Sequence, residues 1–254
     1  MAVGANPLKV ALAEGRVQLG TWINLVRNPA ILTLLQASGL DYARVDMEHS
    51  SPSIETVADM AVLGRALGFP IIVRPPAGNR EWITRLLDVG VMGLHIPQVD
   101  TPEIAREVVA AARYAPIGLR GQSGVGPHND FAPGVSYAAM NEQVHITIMF
   151  ESAESFRNLE EILATPGIDA VTLGPSDLAQ ELGVMGTPDQ ARVIDEHRER
   201  LIEAAGRHGK DVAMLCQTVE EAEKWIQAGA KIIAYSSDVA ILRQGFAGAV
   251  ARLK

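Results

Sequence analysis

The chain has 254 residues, of which 48% are hydrophobic and 20% charged, a length and composition typical of one α/β barrel domain. No window approaches the ~18 uninterrupted apolar residues of a membrane span, no secretory signal pattern opens the chain, and the net charge of −8 comes without a long basic run. We therefore expect a cytoplasmic protein that binds neither membrane nor nucleic acid.

Short apolar segments alternate with amphipathic segments along the whole chain. An N-terminal helix is expected at Asn6–Gly15. The predicted strands are Val17–Ile23, Tyr42–Asp46, Ile71–Arg74, Gly93–Pro97, His145–Glu151, Ala170–Gly174, Asp211–Cys216 and Lys231–Ser236. The predicted helices between them are Pro29–Ser38, Ser53–Leu67, Thr101–Tyr114, Ala153–Thr165, Ala191–His208 and Val219–Ala228.

This alternation predicts an α/β fold with a single (β/α)8 TIM barrel over residues 1–254. An open doubly wound sheet is the alternative, but no GxGxxG motif follows the first strand to indicate a dinucleotide site. The segment Gly118–Val135 is long and glycine-rich. It comes after strand four, where we expect a functional loop.

Polar side chains close several of the apolar strands, at the face where barrel enzymes place their active sites. Glu151 and Asp177 end neighbouring strands, one βαβ repeat apart, and two carboxylates facing one point repel unless a cation lies between them. Oxygen ligands of this kind suit Mg²⁺ or Mn²⁺. The alternative is that each carboxylate caps the helix that follows it.

A histidine and an arginine at the ends of strands two and three are the next candidates. His49 follows Asp46 and Glu48, and an imidazole held by a carboxylate suits a general base near neutral pH. Arg74 suits a substrate carboxylate or a developing enolate oxygen, the alternative being a salt bridge to Asp46 or Glu48.

The other reactive side chains are interpreted as structural. His95, His128 and His145 have no comparable neighbours, and the only cysteine, Cys216, is expected to be packed. A Schiff-base aldolase on this fold needs a lysine at a strand end inside the barrel. The lysines near predicted strands precede a strand or lie on a helix, which favours a metal-dependent mechanism; they are Lys210, Lys224 and Lys231.

Six motifs in order resemble the HpcH/HpaI aldolase family, the class II pyruvate aldolases that include 4-hydroxy-2-oxoheptanedioate and 2-dehydro-3-deoxyglucarate aldolases. The motifs are DYARVDMEHSSPS, IIVRPP, LLDVG, GLRG, FES and GPSDLAQELG, between about Gly20 and Val239. The resemblance implies reversible aldol cleavage of a 4-hydroxy-2-oxo acid to pyruvate, or a close 2-oxo acid, and an aldehyde. The alternatives are an oxaloacetate decarboxylase, a CoA-ester lyase or a non-catalytic barrel that binds 2-oxo acids.

The resemblance also implies roles for individual residues. Glu151 and Asp177 match the family's two ligands of a divalent metal, Mg²⁺ or Mn²⁺, with Co²⁺ as a further possibility. Arg74 matches the arginine that stabilises the enolate. His49 matches the histidine of a proton-shuttling His–Asp dyad, and its partner, Asp88 in LLDVG, comes from the resemblance alone.

Further implications concern the substrate carboxylate and the assembly. The carboxylate would be held by backbone amides at the helix start formed by Gly174, Ser176 and Asp177. Family members form homo-oligomers, hexamers or trimers, and some exchange C-terminal helices. The apolar tail Val239–Leu253 fits such an exchange or an eighth barrel helix.

Three departures from the family pattern affect the expected second substrate rather than the metal. Met149 stands where the family often has Gln, two residues before the metal Glu, and Met47 where a Gly is expected. The loop after GLRG reads QSGVGPHNDF instead of a serine- and alanine-rich stretch. We expect this loop to shape the aldehyde pocket.

Overall fold

The computed structural model describes residues 4–254, and in these residues eight parallel strands form a closed barrel. Each strand pairs in parallel with the next, and β8 closes on β1. The strands are β1 Gln18–Ile23, β2 Tyr42–Asp46, β3 Ile71–Arg74, β4 Gly93–Ile96, β5 His145–Phe150, β6 Ala170–Leu173, β7 Asp211–Cys216 and β8 Ile232–Ser237. The predicted barrel and all eight predicted strands are confirmed. Continuous apolar runs form these strands because both faces of the sheet are buried.

Helices lie between the strands on the outside of the barrel, and one further helix precedes β1 and another follows β8. They are α1 Pro7–Ala13, α2 Ile31–Ala37, α3 Ile54–Leu67, α4 Arg80–Asp88, α5 Pro102–Ala112, α6 Tyr137–Gln143, α7 Ala153–Arg157, α8 Leu159–Leu163, α9 Pro175–Glu181, α10 Gln190–Arg207, α11 Val219–Gln227 and α12 Asp238–Leu253. Side-chain N-caps begin many of them, including Ser53 for α3 and Thr101 for α5, the starts that the sequence predicts.

The helix prediction differs from the structure in three places. The predicted helix Ala153–Thr165 is broken into α7 and α8 at Asn158, whose side-chain amide donates a 2.8 Å hydrogen bond to the carbonyl oxygen of Asp100. The helices α4 and α6 were not predicted. The amphipathic helix α4 begins after the N-cap Asn79 and has only nine residues. A pattern this short does not distinguish a helix from a turn.

The two ends of the barrel differ in what closes them. At the end where the strands begin, Leu8 and Leu12 of α1 pack on interior residues of the strands, which explains the N-terminal helix. Those interior residues are Tyr42, Ile72, Ala170, Ala213 and Ile232. The end where the strands finish is left open, and the long loops and helix starts that follow the strands surround it.

The glycine-rich segment at 118–135 lies at the closed end of the barrel and does not line the pocket of its own chain, so its expected role in shaping the aldehyde pocket stays a prediction. It follows α5 and precedes β5, and a helix that returns from the open end leaves the chain at the closed end. Its residues Arg120 and His128 are buried beside α4, where Arg120 pairs with Asp88 at 2.7 Å.

The C-terminal helix α12 projects away from its own barrel. Only Asp238, at its first position, is buried, and every residue from Ile241 onward is exposed. The exposed residues include Phe246 at 71% and Leu253 at 85%. The tail is therefore not an eighth barrel helix in this structure. No helix among residues 4–254 combines the length and apolar character needed to cross a bilayer.

Candidate active site

A pocket of about 330 Å³ opens where the strands end and reaches down into the barrel. Its upper wall contains His49, Arg74 and the start of α9, and its lower wall contains side chains from the middle of the strands. The sequence-predicted residues His49, Arg74, Gly174, Ser176 and Asp177 all line it. This location agrees with the face on which barrel enzymes place their chemistry.

Glu151 follows β5 and lies directly behind Gly174 at the edge of the pocket. It is 6% exposed, and its Oε1 accepts a 2.6 Å hydrogen bond from the backbone amide of Gln98. Burial raises the pKa of the Glu151 carboxyl to about 7, and the nearby negative charges of Glu48 and Asp177 add to the shift. Near neutral pH this buried carboxyl is therefore either protonated or, when ionised, stabilised by a nearby cation.

Gly174 leaves space for the second oxygen of Glu151. A Cβ at this position would lie 2.5 Å from Oε2 of Glu151 and 3.1 Å from the methyl group of Met149. Gly174 is also the N-cap residue of α9, so this helix begins without a side-chain cap. The absent side chain keeps Glu151 Oε2 within reach of the pocket.

Asp177 lies in the first turn of α9 with its side chain exposed toward the pocket. Its carboxylate caps no backbone amide among the hydrogen bonds of the described chain, and α7 is capped by Ser152 rather than by Glu151. Helix capping was the alternative interpretation of both carboxylates, and the structure contradicts it. The negative charge of Asp177 is still favoured by the helix N-terminus.

These residues fit a divalent cation. Within residues 4–254, no three His, Cys, Asp or Glu side chains come close enough to form a complete ligand set. Glu151 and Asp177 supply hard oxygen donors, and the open pocket beside them leaves the other coordination positions to water and substrate. Such a partly open set of carboxylates suits Mg²⁺ or Mn²⁺ better than Zn²⁺.

Arg74 is fixed by two carboxylates at the ends of β2 and β3. Its Nε and Nη2 donate to the two oxygens of Asp46 at 2.9 and 2.8 Å, and its Nη1 lies 3.2 Å from Glu48. Burial alone would raise the pKa of Asp46, but the hydrogen bonds and charge of Arg74 lower it below its ordinary value. The salt bridges that the sequence left as an alternative are therefore present, and they orient Arg74 toward the pocket.

The structure does not bring His49 and Asp88 together within one chain. The imidazole of His49 lies 3.6 Å from Glu48 and is largely exposed at the pocket mouth. Asp88 ends α4 at the closed end of the barrel, where it pairs with Arg120. The two residues lie at opposite ends of the barrel.

Comparison with known proteins identifies the family of this chain. A sequence model of the "HpcH/HpaI aldolase/citrate lyase" family matches residues 18–244. The chain belongs to this family. It is 33% identical over 246 residues to a 5-keto-4-deoxy-D-glucarate aldolase of Klebsiella pneumoniae, covering 95% of this chain and 94% of that protein.

Solved structures of family members share the same barrel. An HpcH/HpaI aldolase of Desulfitobacterium hafniense superimposes with a TM-score of 0.92 and 32% identity, covering 98% of this chain and 97% of the other. A family protein of Burkholderia cenocepacia has a TM-score of 0.88 and 29% identity, covering 98% and 99%. The expectation of a carbon–carbon lyase is confirmed.

Other reactive side chains of this HpcH/HpaI protein lie away from the chemistry. Burial raises the pKa of the Cys216 thiol to about 12 and lowers that of His145 to about 4. Lys210 donates to backbone carbonyls at the closed end, and no lysine of the described chain lines the pocket. The positions of these lysines agree with the prediction of a metal-dependent rather than a Schiff-base mechanism.

Several residues that line the pocket lie before the ends of their strands, so the pattern of polar strand ends does not identify them. Arg44 is central in β2, two positions before Asp46, so both side chains point into the barrel. His95 was interpreted as structural, yet it lines the pocket beside Arg44, as do Trp22 and Ser236. The signal in the sequence is an arginine inside an apolar strand, two positions before a carboxylate that ends the same strand.

Proposed function

We propose that this chain is a divalent-metal-dependent aldolase that reversibly cleaves a 4-hydroxy-2-oxo acid to pyruvate, or a close 2-oxo acid, and an aldehyde. The observation that carries the proposal is the buried Glu151 carboxyl, which lies behind Gly174 and has its pKa raised to about 7, next to a pocket that Asp177 and Arg74 line. The resemblance to class II aldolases implies a divalent metal, and the keto-deoxy-glucarate named for the Klebsiella relative is a 4-hydroxy-2-oxo acid of the proposed substrate class.

The roles of the residues follow from their positions. A cation held by Glu151 and Asp177 would polarise the 2-oxo group and stabilise negative charge that develops on its oxygen. Arg74, held rigid by Asp46 and Glu48, places a fixed positive charge in the same pocket. The backbone amides at the start of α9, including that of Ser176, would orient the substrate carboxylate.

Proton transfer would use His49, which is exposed at the pocket mouth. Its proposed partner Asp88 lies at the other end of its own barrel, so a dyad requires Asp88 of a second subunit. Asp88 retains 29% side-chain exposure despite its pairing with Arg120, and it is thus available to a neighbouring copy. We therefore propose that the active site is completed across a subunit interface.

The same reasoning applies to the assembly. The helix α12 exposes Ile241, Leu242, Phe246 and Val250 along a projecting arm. Apolar area of this kind is normally covered in a soluble protein. We propose that α12 packs on a neighbouring copy in a homo-oligomer, a hexamer or trimer, and that the enzyme, with its single cysteine, works in the reducing cytoplasm.

The test is a retro-aldol assay on a panel of 4-hydroxy-2-oxo acids with coupled detection of pyruvate. We expect EDTA to abolish cleavage and added Mn²⁺ or Mg²⁺ to restore it. Glu151→Gln and Asp177→Asn should lose metal binding and activity, whereas Glu223→Gln, a change at an exposed carboxylate on α11, should retain both. Full activity in EDTA would contradict the proposal, and pyruvate release from oxaloacetate without any aldol cleavage would identify a decarboxylase instead.

A further inference from the structure

A buried arginine in the middle of the barrel has no carboxylate partner. Arg44 is 2% exposed, and no Asp or Glu oxygen of residues 4–254 lies within 4.0 Å of its guanidinium. Its neighbours are the rings of Trp22 and Tyr42, whose centroids lie 5.7 and 5.8 Å from its Cζ. By contrast, the buried arginines Arg113 and Arg120 each pair with an aspartate at 2.7 Å.

The groups around Arg44 are mostly hydrogen-bond donors. Its Nη1 contacts Nδ1 of His95, so that nitrogen accepts and Nε2 of the ring carries the proton. Four further donor atoms have no protein partner: Arg44 Nε, Arg44 Nη2, His95 Nε2 and Trp22 Nε1. The hydroxyls of Ser236 and Tyr42, which can donate or accept, are likewise unpartnered. Trp22, Arg44, His95 and Ser236 all line the active-site pocket, and we name them the pocket floor.

A buried cation surrounded by unpartnered donors favours an anion. An unpaired buried charge is strongly unfavourable, and a bound anion removes that penalty. A barrel interior is ordinarily filled by bulky apolar residues. Packing therefore does not explain why β2 carries an arginine at this depth, and ligand binding does.

The pocket floor lies close to the site of the proposed chemistry. The guanidinium carbons of Arg74 and Arg44 lie 4.9 and 5.7 Å from the centroid of the Trp22 ring. Both cations therefore neighbour the same aromatic side chain. Arg74 and Arg44 also line the same pocket. We propose that the pocket floor binds a second carboxylate of the substrate, so that the preferred substrate of this enzyme is a dianion.

This inference rests on the proposed aldolase function for its substrate, but its binding test is independent of catalysis. The second carboxylate could belong to the 2-oxo acid or to the aldehyde. Both sources present the same group to Arg44 and His95, and kinetic measurements with matched substrates separate them.

The first experiment measures binding to metal-free protein by thermal shift and calorimetry, with malonate, succinate and acetate as probes. We expect the dicarboxylates to raise the Tm of the wild type more than acetate does, and Arg44→Met to lose this difference. Arg85→Met, at an exposed arginine on α4, is the control and should behave as the wild type. Circular dichroism establishes that Arg44→Met folds, and Arg44→Lys should restore part of the response because it restores the charge.

The second experiment compares anionic and neutral substrates. For aldol addition to pyruvate, glyoxylate is compared with glycolaldehyde; as donors, oxaloacetate is compared with pyruvate. Loss of a hydrogen-bonded charge should lower the ratio of kcat/KM for anionic over neutral substrate by about 10- to 100-fold in Arg44→Met. The comparison that changes identifies which reactant carries the carboxylate.

Two outcomes overturn the inference. One is equal dicarboxylate binding by wild type and Arg44→Met together with unchanged substrate ratios. The other is a Tm response that chloride alone reproduces, which would assign the pocket floor to an inorganic anion. If no aldol activity is found but the dicarboxylate response still depends on Arg44, the proposed function fails and the binding site stands.

Discussion

The backbone amide of Gln98 donates a 2.6 Å hydrogen bond to Oε1 of Glu151 while Gln98 itself has a φ of 55°. This left-handed conformation is uncommon for a residue with a side chain and costs roughly 1 to 3 kcal/mol. It directs the amide that follows β4 at the carboxylate that follows β5. Backbone strain thus fixes one oxygen of Glu151, and Gly174 leaves room at the other.

The conformation of Gln98 gives a first prediction. Gln98→Gly should keep metal affinity and raise stability by about 0.5 to 1 kcal/mol, because glycine adopts this φ without strain. Gln98→Ile should lower stability by about 1 to 2 kcal/mol and weaken Mn²⁺ binding, because a β-branched residue disfavours the left-handed region. Urea unfolding and Mn²⁺ titration measure both effects. Equal metal affinity in the two variants would show that the amide does not position Glu151.

The raised pKa of Glu151 predicts how the stability of the metal-free protein depends on pH. The carboxyl titrates near pH 7 when folded, against an ordinary value of 4.5. Between these values the folded protein holds a proton that the unfolded chain has released, so stability falls as pH rises through this window, by up to about 3 kcal/mol. Thermal melts of EDTA-treated protein from pH 5 to 8 should show the fall, and Glu151→Gln should remove it.

Metal binding should couple to the same proton. Because a ligating carboxylate must be ionised, Mn²⁺ binding at pH 6 should release a proton that is already absent at pH 8.5. Calorimetry in buffers of different ionisation enthalpy counts the proton. Metal affinity that stays constant across this range would place the raised pKa on another group.

The double hydrogen bond between Arg74 and Asp46 gives a further prediction. Arg74→Lys keeps the charge but not the planar contact with two carboxylates, so we expect kcat to fall roughly 100-fold. Asp46→Asn should lower kcat with a smaller change in KM, because Asp46 positions Arg74 and does not line the pocket. Arg80→Lys, at an exposed arginine that starts α4, is the matched control. A drop confined to KM would assign Arg74 to substrate binding alone.

The sequence was sufficient to predict the barrel, because continuous apolar runs indicate strands that are buried on both faces and the helical period of apolar residues indicates helices with one buried face. It also predicted the location of Arg74 and Asp177 at the pocket and of Glu151 behind Gly174, because polar residues that end buried strands gather at one face of a barrel, while their catalytic roles stay predictions. The loop at 118–135 follows the predicted helix Thr101–Tyr114, which is α5 in the structure and returns the chain to the closed end, so the loop is not adjacent to the end of β4.

Two further features lay outside what one sequence reveals. The motif that contains Asp88 identifies a residue but not the subunit that uses it, and within this chain Asp88 and His49 lie at opposite ends of the barrel. Arg44 is visible in the sequence, but its meaning depends on the absence of a nearby carboxylate in the described chain. Only the three-dimensional arrangement shows that.

The separation of His49 from Asp88 predicts complementation between subunits. His49→Ala and Asp88→Asn should each be nearly inactive alone. Co-expressed in equal amounts, they should recover about one quarter of wild-type activity, because random mixing gives that share of sites both an intact histidine and an intact partner aspartate. Pairing His49→Ala with the double variant should recover nothing. Mixed oligomers without activity would refute a dyad shared between subunits.

The last prediction concerns the projecting helix α12. Removal of residues 241–254 should abolish the oligomer without unfolding the barrel, because these residues are exposed throughout in the isolated chain. Phe246→Ser, which changes a side chain that is 71% exposed, should weaken the assembly in the same direction. Light scattering after size-exclusion chromatography gives the mass, and circular dichroism reports the fold. Because a shared dyad needs contact between subunits, the truncated protein should also lose aldol cleavage while it still binds Mn²⁺. An unchanged mass after truncation would show that the assembly is held by another surface.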